Sequence, residues 1–229
     1  MTGAPDSATE RRVLLALRLA GVAETAEVTR RLSIGPGDTA ATTDTEAILR
    51  ALAERGLVRE RTGALAGWQL TPDGIRAGEA LLGAELAEAN GGPVIEAAYG
   101  TFLDLNRRML SVLTAWQVRS DGDDQVPNDH LDAAYDRSVL ADLRLLDDDL
   151  RDLIDGLGAT LPRYSGYADR LDGAWQRVSA GDLSWVDRPR IDSIHTLWFE
   201  LHEDLLATLG LDRAAETARD AGSRSDPSD

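Results

Sequence analysis

Apolar residues recur at helical spacing along most of the chain, and breaks in that rhythm mark its elements. Val13, Leu14, Leu17 and Ala20 share one face of a helix expected over Glu10–Ala20, with Thr9 as N-cap and Gly21 ending it. A second helix is expected over Ala26–Leu32, capped by Thr25. The segment Ser33-Ile34-Gly35-Pro36-Gly37-Asp38 reads as a turn, and a third helix begins between Asp38 and Thr45. That helix carries Ile48, Leu49 and Leu52 on the face that also takes Leu57, and Gly56 caps its end. A β-like hairpin follows, Leu57–Arg61 and Gly67–Thr71, joined by Thr62-Gly63-Ala64-Leu65-Ala66. Thr71-Pro72-Asp73 then starts a helix reaching Asn90: a capping Thr, Pro at the first helical position, and an acid in the first turn.

Asn90-Gly91-Gly92-Pro93 breaks the chain, and beyond it the pattern is helical throughout. Val94–Arg119 aligns Ala98, Phe102, Leu105, Met109, Val112 and Trp116. Ser120–Asp129 reads as an acidic loop. Leu131–Leu157 aligns Tyr135, Val139, Leu143, Leu146, Leu150, Leu153 and Leu157. Pro162–Ala180 carries Tyr164, Tyr167, Leu171, Trp175 and Val178, and Ile191–Gly210 carries Ile194, Leu197, Trp198, Leu201, Leu205 and Leu209. Four amphipathic helices of this kind bury their stripes as a four-helix-type bundle. The expected organisation is a lead-in over 1–8, a domain over 9–90, a helical domain over 91–211 and a loose tail over 212–229.

The segment from Thr45 to Thr71, a helix ending in Glu-Arg-Gly-Leu-Val, an Arg-bearing hairpin and then Leu-Thr-Pro-Asp-Gly, resembles the winged helix of MarR-type regulators. The resemblance runs from about Glu10 to Leu86. It implies a winged helix-turn-helix with a small β-wing in a mainly α chain, and DNA as a partner. The polar run Thr39–Thr45 is longer than the tight helix-turn-helix connection, a departure that leaves the recognition surface undefined. Candidate DNA contacts are Thr42, Thr43, Thr45 and Arg50 on the third helix, with Arg59 and Arg61 on the wing, since Thr bonds phosphates or base edges and Arg reads guanine. Asp44 and Glu46 sit among them and would face phosphates unfavourably. Trp68 is expected to pack inward rather than stack on a base.

The C-terminal runs Phe102-Leu103-Asp104-Leu105-Asn106, Asn128–Asp136 and Ile191–Leu206 are similar to a helical region found behind winged helices in actinobacterial proteins, sometimes appended to pyruvate phosphate dikinase-like proteins. That implies association with a phosphoenolpyruvate-using enzyme as an alternative to DNA regulation. The dikinase's own nucleotide-grasp domain and phosphorylated-histidine loop have no counterpart in the chain.

Charge constrains the function more tightly than residue composition does. All 24 basic residues are arginine and none is lysine, against 40 acids, for a net charge of −16 over 229 residues. Residues 1–90 hold 10 Arg and 13 acids (−3), and residues 91–229 hold 14 and 27 (−13). A nucleic-acid binder usually carries a basic footprint, so only a local patch of the first domain is available for DNA. The absence of lysine removes Schiff-base and P-loop lysine chemistry. The absence of cysteine excludes disulfides and thiolate chemistry. No apolar run is long enough for a membrane span and no secretory signal is visible, so a cytoplasmic protein without membrane partners is expected.

Candidate chemistry centres on three histidines. His195 and His202 lie seven residues apart on one expected helix, about 10.5 Å along its axis, too far to share a metal ion. With Trp198 and Phe199 they form a candidate small-molecule site, set against a purely structural role at the edge of the core. Asp192-x-x-His195, even with Asp129-His130, lacks the second Glu-x-x-His copy of dimetal bundles, so no metal is expected. Asp147-Asp148-Asp149 cannot converge on one ion from a helix and reads as a solvated face. No nucleophile elbow appears, so no catalytic residue, cofactor or enzymatic activity is expected. The first reading is a transcription regulator, homodimeric, with a helical domain for dimerisation or ligand sensing.

Overall fold

A computed structural model describes residues 6–32, 44–121 and 124–211. The protein is mainly helical: 73% of the described residues are in helices and 8% in strands. The helices are α1 (Ser7–Ala20), α2 (Thr25–Leu32), α3 (Thr45–Glu54), α4 (Pro72–Glu88), α5 (Gly92–Gln117), α6 (Ala133–Thr160), α7 (Gly166–Ser179) and α8 (Ile194–Leu209). Short 3₁₀ turns cover Pro162–Ser165 and Leu183–Trp185. Two antiparallel hairpins, β1 (Val58–Arg61) with β2 (Gly67–Leu70) and β3 (Val118–Asp121) with β4 (Asp124–Pro127), complete the described elements.

Two compact units divide the chain. The described residues up to Gly92, together with those from Trp198 on, form one; Pro93–Leu197 form the other. The division falls inside α8, so a helix expected to lie wholly in the second domain has most of its length in the first unit.

In the first unit, α1 begins earlier than Thr9: Asp6 is the N-cap, and its carboxylate accepts from Thr9 N at 2.7 Å. That bond holds the Asp6 carboxyl below the ordinary range, with burial opposing. The α2 helix starts at Thr25 itself, because the Thr25 hydroxyl is engaged elsewhere and does not cap. Asp44 caps α3, accepting from Ala47 N at 3.0 Å. Val13, Leu14, Leu17, Val28, Leu32, Leu49, Leu52, Val58 and Trp68 form the core, with Ile48 partly buried beside it. The β1–β2 register pairs Val58 with Leu70 and Arg61 with Gly67. Ala23, in the α1–α2 connection, adds one more rung: Ala23 N donates to Trp68 O (3.1 Å) and Trp68 N to Ala23 O (2.7 Å). Gly67 makes that rung feasible. Its φ of +137° suits glycine, and a Cβ there would lie 2.7 Å from the Ala23 carbonyl oxygen. Glu10 of α1 reaches Arg55 at the end of α3 in a two-pronged ion pair of 2.6 and 3.0 Å, which raises the Arg55 pKa.

In the second unit the acidic stretch after α5 is a hairpin, not a loop. Val118 pairs with Pro127 and Arg119 with Val126, and Asn128 N extends the ladder to Gln117 O at 2.8 Å. Alternating Val, Arg and Gln side chains satisfy a two-stranded ribbon, and Asp124, at the start of β4, faces water. The buried face of α5 runs through Ile95, Phe102, Leu105, Met109, Leu113 and Trp116, so Leu113 replaces the expected Val112. In α6, capped by Asp132, Ile154 replaces Leu153. Asp147 corrects a further expectation. It is 2% exposed, held by Arg151 (2.8 Å) and Arg144 (3.4 Å), while Asp148 and Asp149 do face solvent. Tyr135 Oη donates to Ala115 O (2.9 Å) and Arg108 pairs with Asp149 (2.6 Å), tying α5 to α6.

Candidate functional site

The third helix and the first hairpin carry the candidate nucleic-acid contacts, and a short hydrogen-bonded relay fixes how they stand together. Trp68 Nε1 of β2 donates to Thr25 Oγ1 (3.1 Å), and Thr25 donates to Glu46 Oε2 (2.7 Å) on α3. Arg50, one turn on, pairs with Glu46 Oε1 at 2.7 Å. The Thr25 hydroxyl, and after it Arg50, hold the Glu46 carboxyl below its ordinary range against desolvation. Trp68 is 5% exposed and thus part of the core, as its sequence setting implies.

The six candidate contacts do not share one environment. Thr42 and Thr43 lie outside the described residues. Thr45 is 4% exposed, because it opens α3 with its side chain turned into the unit; it is no surface contact as it stands. Arg50 is exposed but neutralised by Glu46. Arg59 and Arg61 alternate with Glu60 and so share one face of β1. Arg59 donates to Gln69 Oε1 across the hairpin (3.0 Å), and neither arginine has a carboxylate partner among the described residues. The other arginines near α2 are committed: Arg30 to Glu27 (2.7 Å), and Arg31 to Glu27 (2.7 Å) and to Glu200 (2.6 Å). Charge pairing is the feature that sequence reading misses here, since Glu200 lies far from Arg31 along the chain.

The candidate ligand site on α8 resolves into residues of different character. His195 belongs to the second unit, whereas Trp198, Phe199 and His202 belong to the first. Trp198 (4%) and His202 (5%) are buried, and Phe199 is 42% exposed. A small pocket with room for about one water molecule lies elsewhere in the first unit, lined by Leu14, Arg18, Leu70, Ile75, Leu82 and Ala207 among others; none of the four residues lines it. Burial lowers the pKa of His195, with Asp187 pulling the other way. The unfolded chain binds the His195 proton more readily, so this contribution is fully present above about pH 6.5 and is lost as pH falls through the lower folded value. We expect His195→Gln to flatten the loss of melting temperature between about pH 7.5 and 5.5, and a pH series of thermal melts checks it. An unchanged slope would mean that other groups carry it.

His130, which the sequence leaves without a role, has the most organised surroundings of the three. It lies just after β4 with φ +57°, and its Nδ1 is 3.1 and 3.2 Å from the two carboxylate oxygens of Asp136. Asp136 is 5% exposed. Asn128 donates through Nδ2 to Asp136 Oδ1 (2.9 Å) and to Trp116 O (3.0 Å), and its Oδ1 accepts from His130 N (3.2 Å). The Trp116 ring packs on the imidazole at 4.4 Å between centroids. The sequence holds one clue: Asp132 as a helix cap places Asp136 in the first turn of α6, beside the loop that carries His130. No group of three or more metal-ligating side chains occurs among the described residues.

No family model, curated protein or solved structure matches the chain. No helix among the described residues is long and apolar enough to cross a membrane.

Proposed function

We propose that the first unit is a winged helix and that the chain is a DNA-binding transcription regulator engaging duplex DNA chiefly through its wing. The observation that carries this reading is the pair Arg59 and Arg61, which share one face of the hairpin with no carboxylate among the described residues to neutralise them. The order α1, Ala23 rung, α2, α3, β1, β2 supports the fold assignment, since a short strand between the first two helices pairing with the wing is what a winged helix requires. With Arg50 tied to Glu46, α3 contributes shape more than charge, and affinity rests on phosphate contacts from the wing. The second unit, read as a helical bundle, serves dimerisation or ligand sensing, and a two-fold dimer would present two wings to one operator.

A second reading is favoured by the charge itself. A net −16, with Arg30, Arg31 and Arg50 around α2 and α3 all paired, suits a winged helix that binds protein, for instance as the accessory subunit of a dikinase-like, phosphoenolpyruvate-using enzyme. Gel retardation with the upstream DNA of its own gene separates the two. We expect retardation at low salt, and Arg59→Ala or Arg61→Ala to weaken it across all sequences while lowering the slope of log K against log salt by about 0.9 per lost phosphate contact. Absence of retardation at low salt across the whole upstream region rejects the DNA reading and leaves protein binding.

A further inference from the structure

The Asn128–His130–Asp136 cluster fixes the tautomer of one imidazole. Both N–H bonds of the Asn128 amide go to oxygens, at Trp116 O and Asp136 Oδ1. Asn128 therefore has no proton left for His130 Nδ1. The Asp136 carboxylate, 3.1 Å from Nδ1, can only accept, so Nδ1 carries the hydrogen and Nε2 the lone pair. Nε2 lies on the far side of the ring from Asp136, has no protein partner among the described residues, and belongs to a side chain that is 36% exposed. Trp116 holds one ring face, and the left-handed backbone at His130, braced by Asn128, holds the other end. The buried Asp136 carboxylate behind Nδ1–H orients the ring and leaves the Nε2 lone pair available for attack.

We propose that His130 is a nucleophilic side chain that accepts acyl groups at Nε2 from neutral activated esters, with Asp136 as its positioning residue. The Nε2 lone pair forms a bond to the carbonyl carbon, and the ester C–O bond breaks with its electron pair leaving on the alkoxide or aryl oxide. The acylated ring is cationic, keeps its Nδ1 hydrogen, and is compensated by the Asp136 carboxylate. Water then attacks the acyl carbon, and Nε2 departs with its lone pair restored. The two water protons go to the carboxylic acid and to the alcohol or phenol, so one ester and one water are consumed. Nearby charge selects the donor class. Asp129, Asp132 and Asp136 outnumber Arg119 and Arg137, a net negative setting that opposes anionic phosphoryl donors and is indifferent to neutral esters. The apolar face of Leu131, 85% exposed and next in the chain, adds contact surface for an acyl or aryl group.

The test uses the full chain and p-nitrophenyl acetate. We expect p-nitrophenolate release faster per protein molecule than per molecule of free imidazole by about tenfold or more. Peptide mass mapping of a quenched reaction should find the acetyl group on His130. His130→Gln should return the rate to the protein-free background. Asp136→Asn should lower it by about tenfold or more, and the conservative Asp136→Glu should restore a large part of it, which a purely structural role would not do. Far-UV circular dichroism establishes that each variant is folded. A wild-type rate no greater than that of free imidazole, or an acetyl group mapped to any other residue, overturns the proposal; both are measured on wild type, so they decide it even where a variant fails to fold.

Discussion

Gly74→Ala is expected to be the most damaging single methyl in the first unit. Gly74 sits in the first turn of α4, and a Cβ there would meet the Leu57 carbonyl oxygen at 1.9 Å. That oxygen cannot retreat: it accepts from Thr71 N (3.0 Å) and lies 3.2 Å from Thr71 Oγ1, which also bonds Gly56 O and caps Gly74 N. The clash is with backbone, so α4 must shift relative to the α3–β1 corner. Overpacking of a fixed site costs about 1–3 kcal/mol and sometimes more, and the loss of Thr71 bonds should place this variant at about 3 kcal/mol. Gly83 gives the control on the same helix. It is exposed, and nothing lies within 4 Å of the place its methyl would take, so Gly83→Ala should stabilise by about 0.5–1 kcal/mol through helix propensity. Urea denaturation of the two variants should thus move in opposite directions; equal midpoints would mean that α4 is not seated on Leu57.

The second large effect is expected at Arg31. Its side chain is 11% exposed, bonded through Nε to Glu27 (2.7 Å) and through Nη2 to Glu200 (2.6 Å), whose own side chain is 2% exposed. Desolvation by burial works to raise the Glu27 pKa, but Arg30 and Arg31 overcome it and hold Glu27 ionised below its ordinary range. Arg31→Ala would leave the buried Glu200 carboxylate without this cation, and breaking such a pair from one side costs about 3–5 kcal/mol. Arg31→Ala with Glu200→Ala should recover a large part of that loss, because the two charges stabilise each other and the double variant removes both. A double-mutant cycle on thermal or urea unfolding measures it. Additive losses would show that Arg31 and Glu200 are not energetically coupled.

How much of this is legible in the chain depends on whether a local signal exists. The β1–β2 hairpin announces itself through Gly63, Gly67 and the change of period, and α4 through Thr71-Pro72-Asp73, because turn and cap chemistry are written in adjacent residues. The Ala23 rung is invisible, since a single pairing residue leaves no alternation to detect. The β3–β4 hairpin is hidden by the run of acids in its middle, which says nothing of the ladder on either side. Asp147 looks like surface beside Asp148 and Asp149, yet one position in a helix turns by about 100° and brings it under Arg144 and Arg151. The His130 dyad and the Arg31–Glu200 pair need spatial neighbours that no spacing rule supplies.

The first unit is discontinuous in sequence, and that bears on the order in which it can be made. Glu200, which meets Arg31, and Ala207, which lines the small pocket beside Leu14, leave the ribosome only after residues 93–197 have been synthesised. At about 5–20 residues per second that interval is on the order of ten seconds. During it Arg31 has no Glu200, and the apolar edge near Leu14 and Leu82 has no Ala207, so the nascent first unit is incomplete. Closing the first unit joins Trp198–Leu209 to elements on the far side of residues 93–197, contacts of long sequence separation that slow folding relative to packing between neighbouring helices.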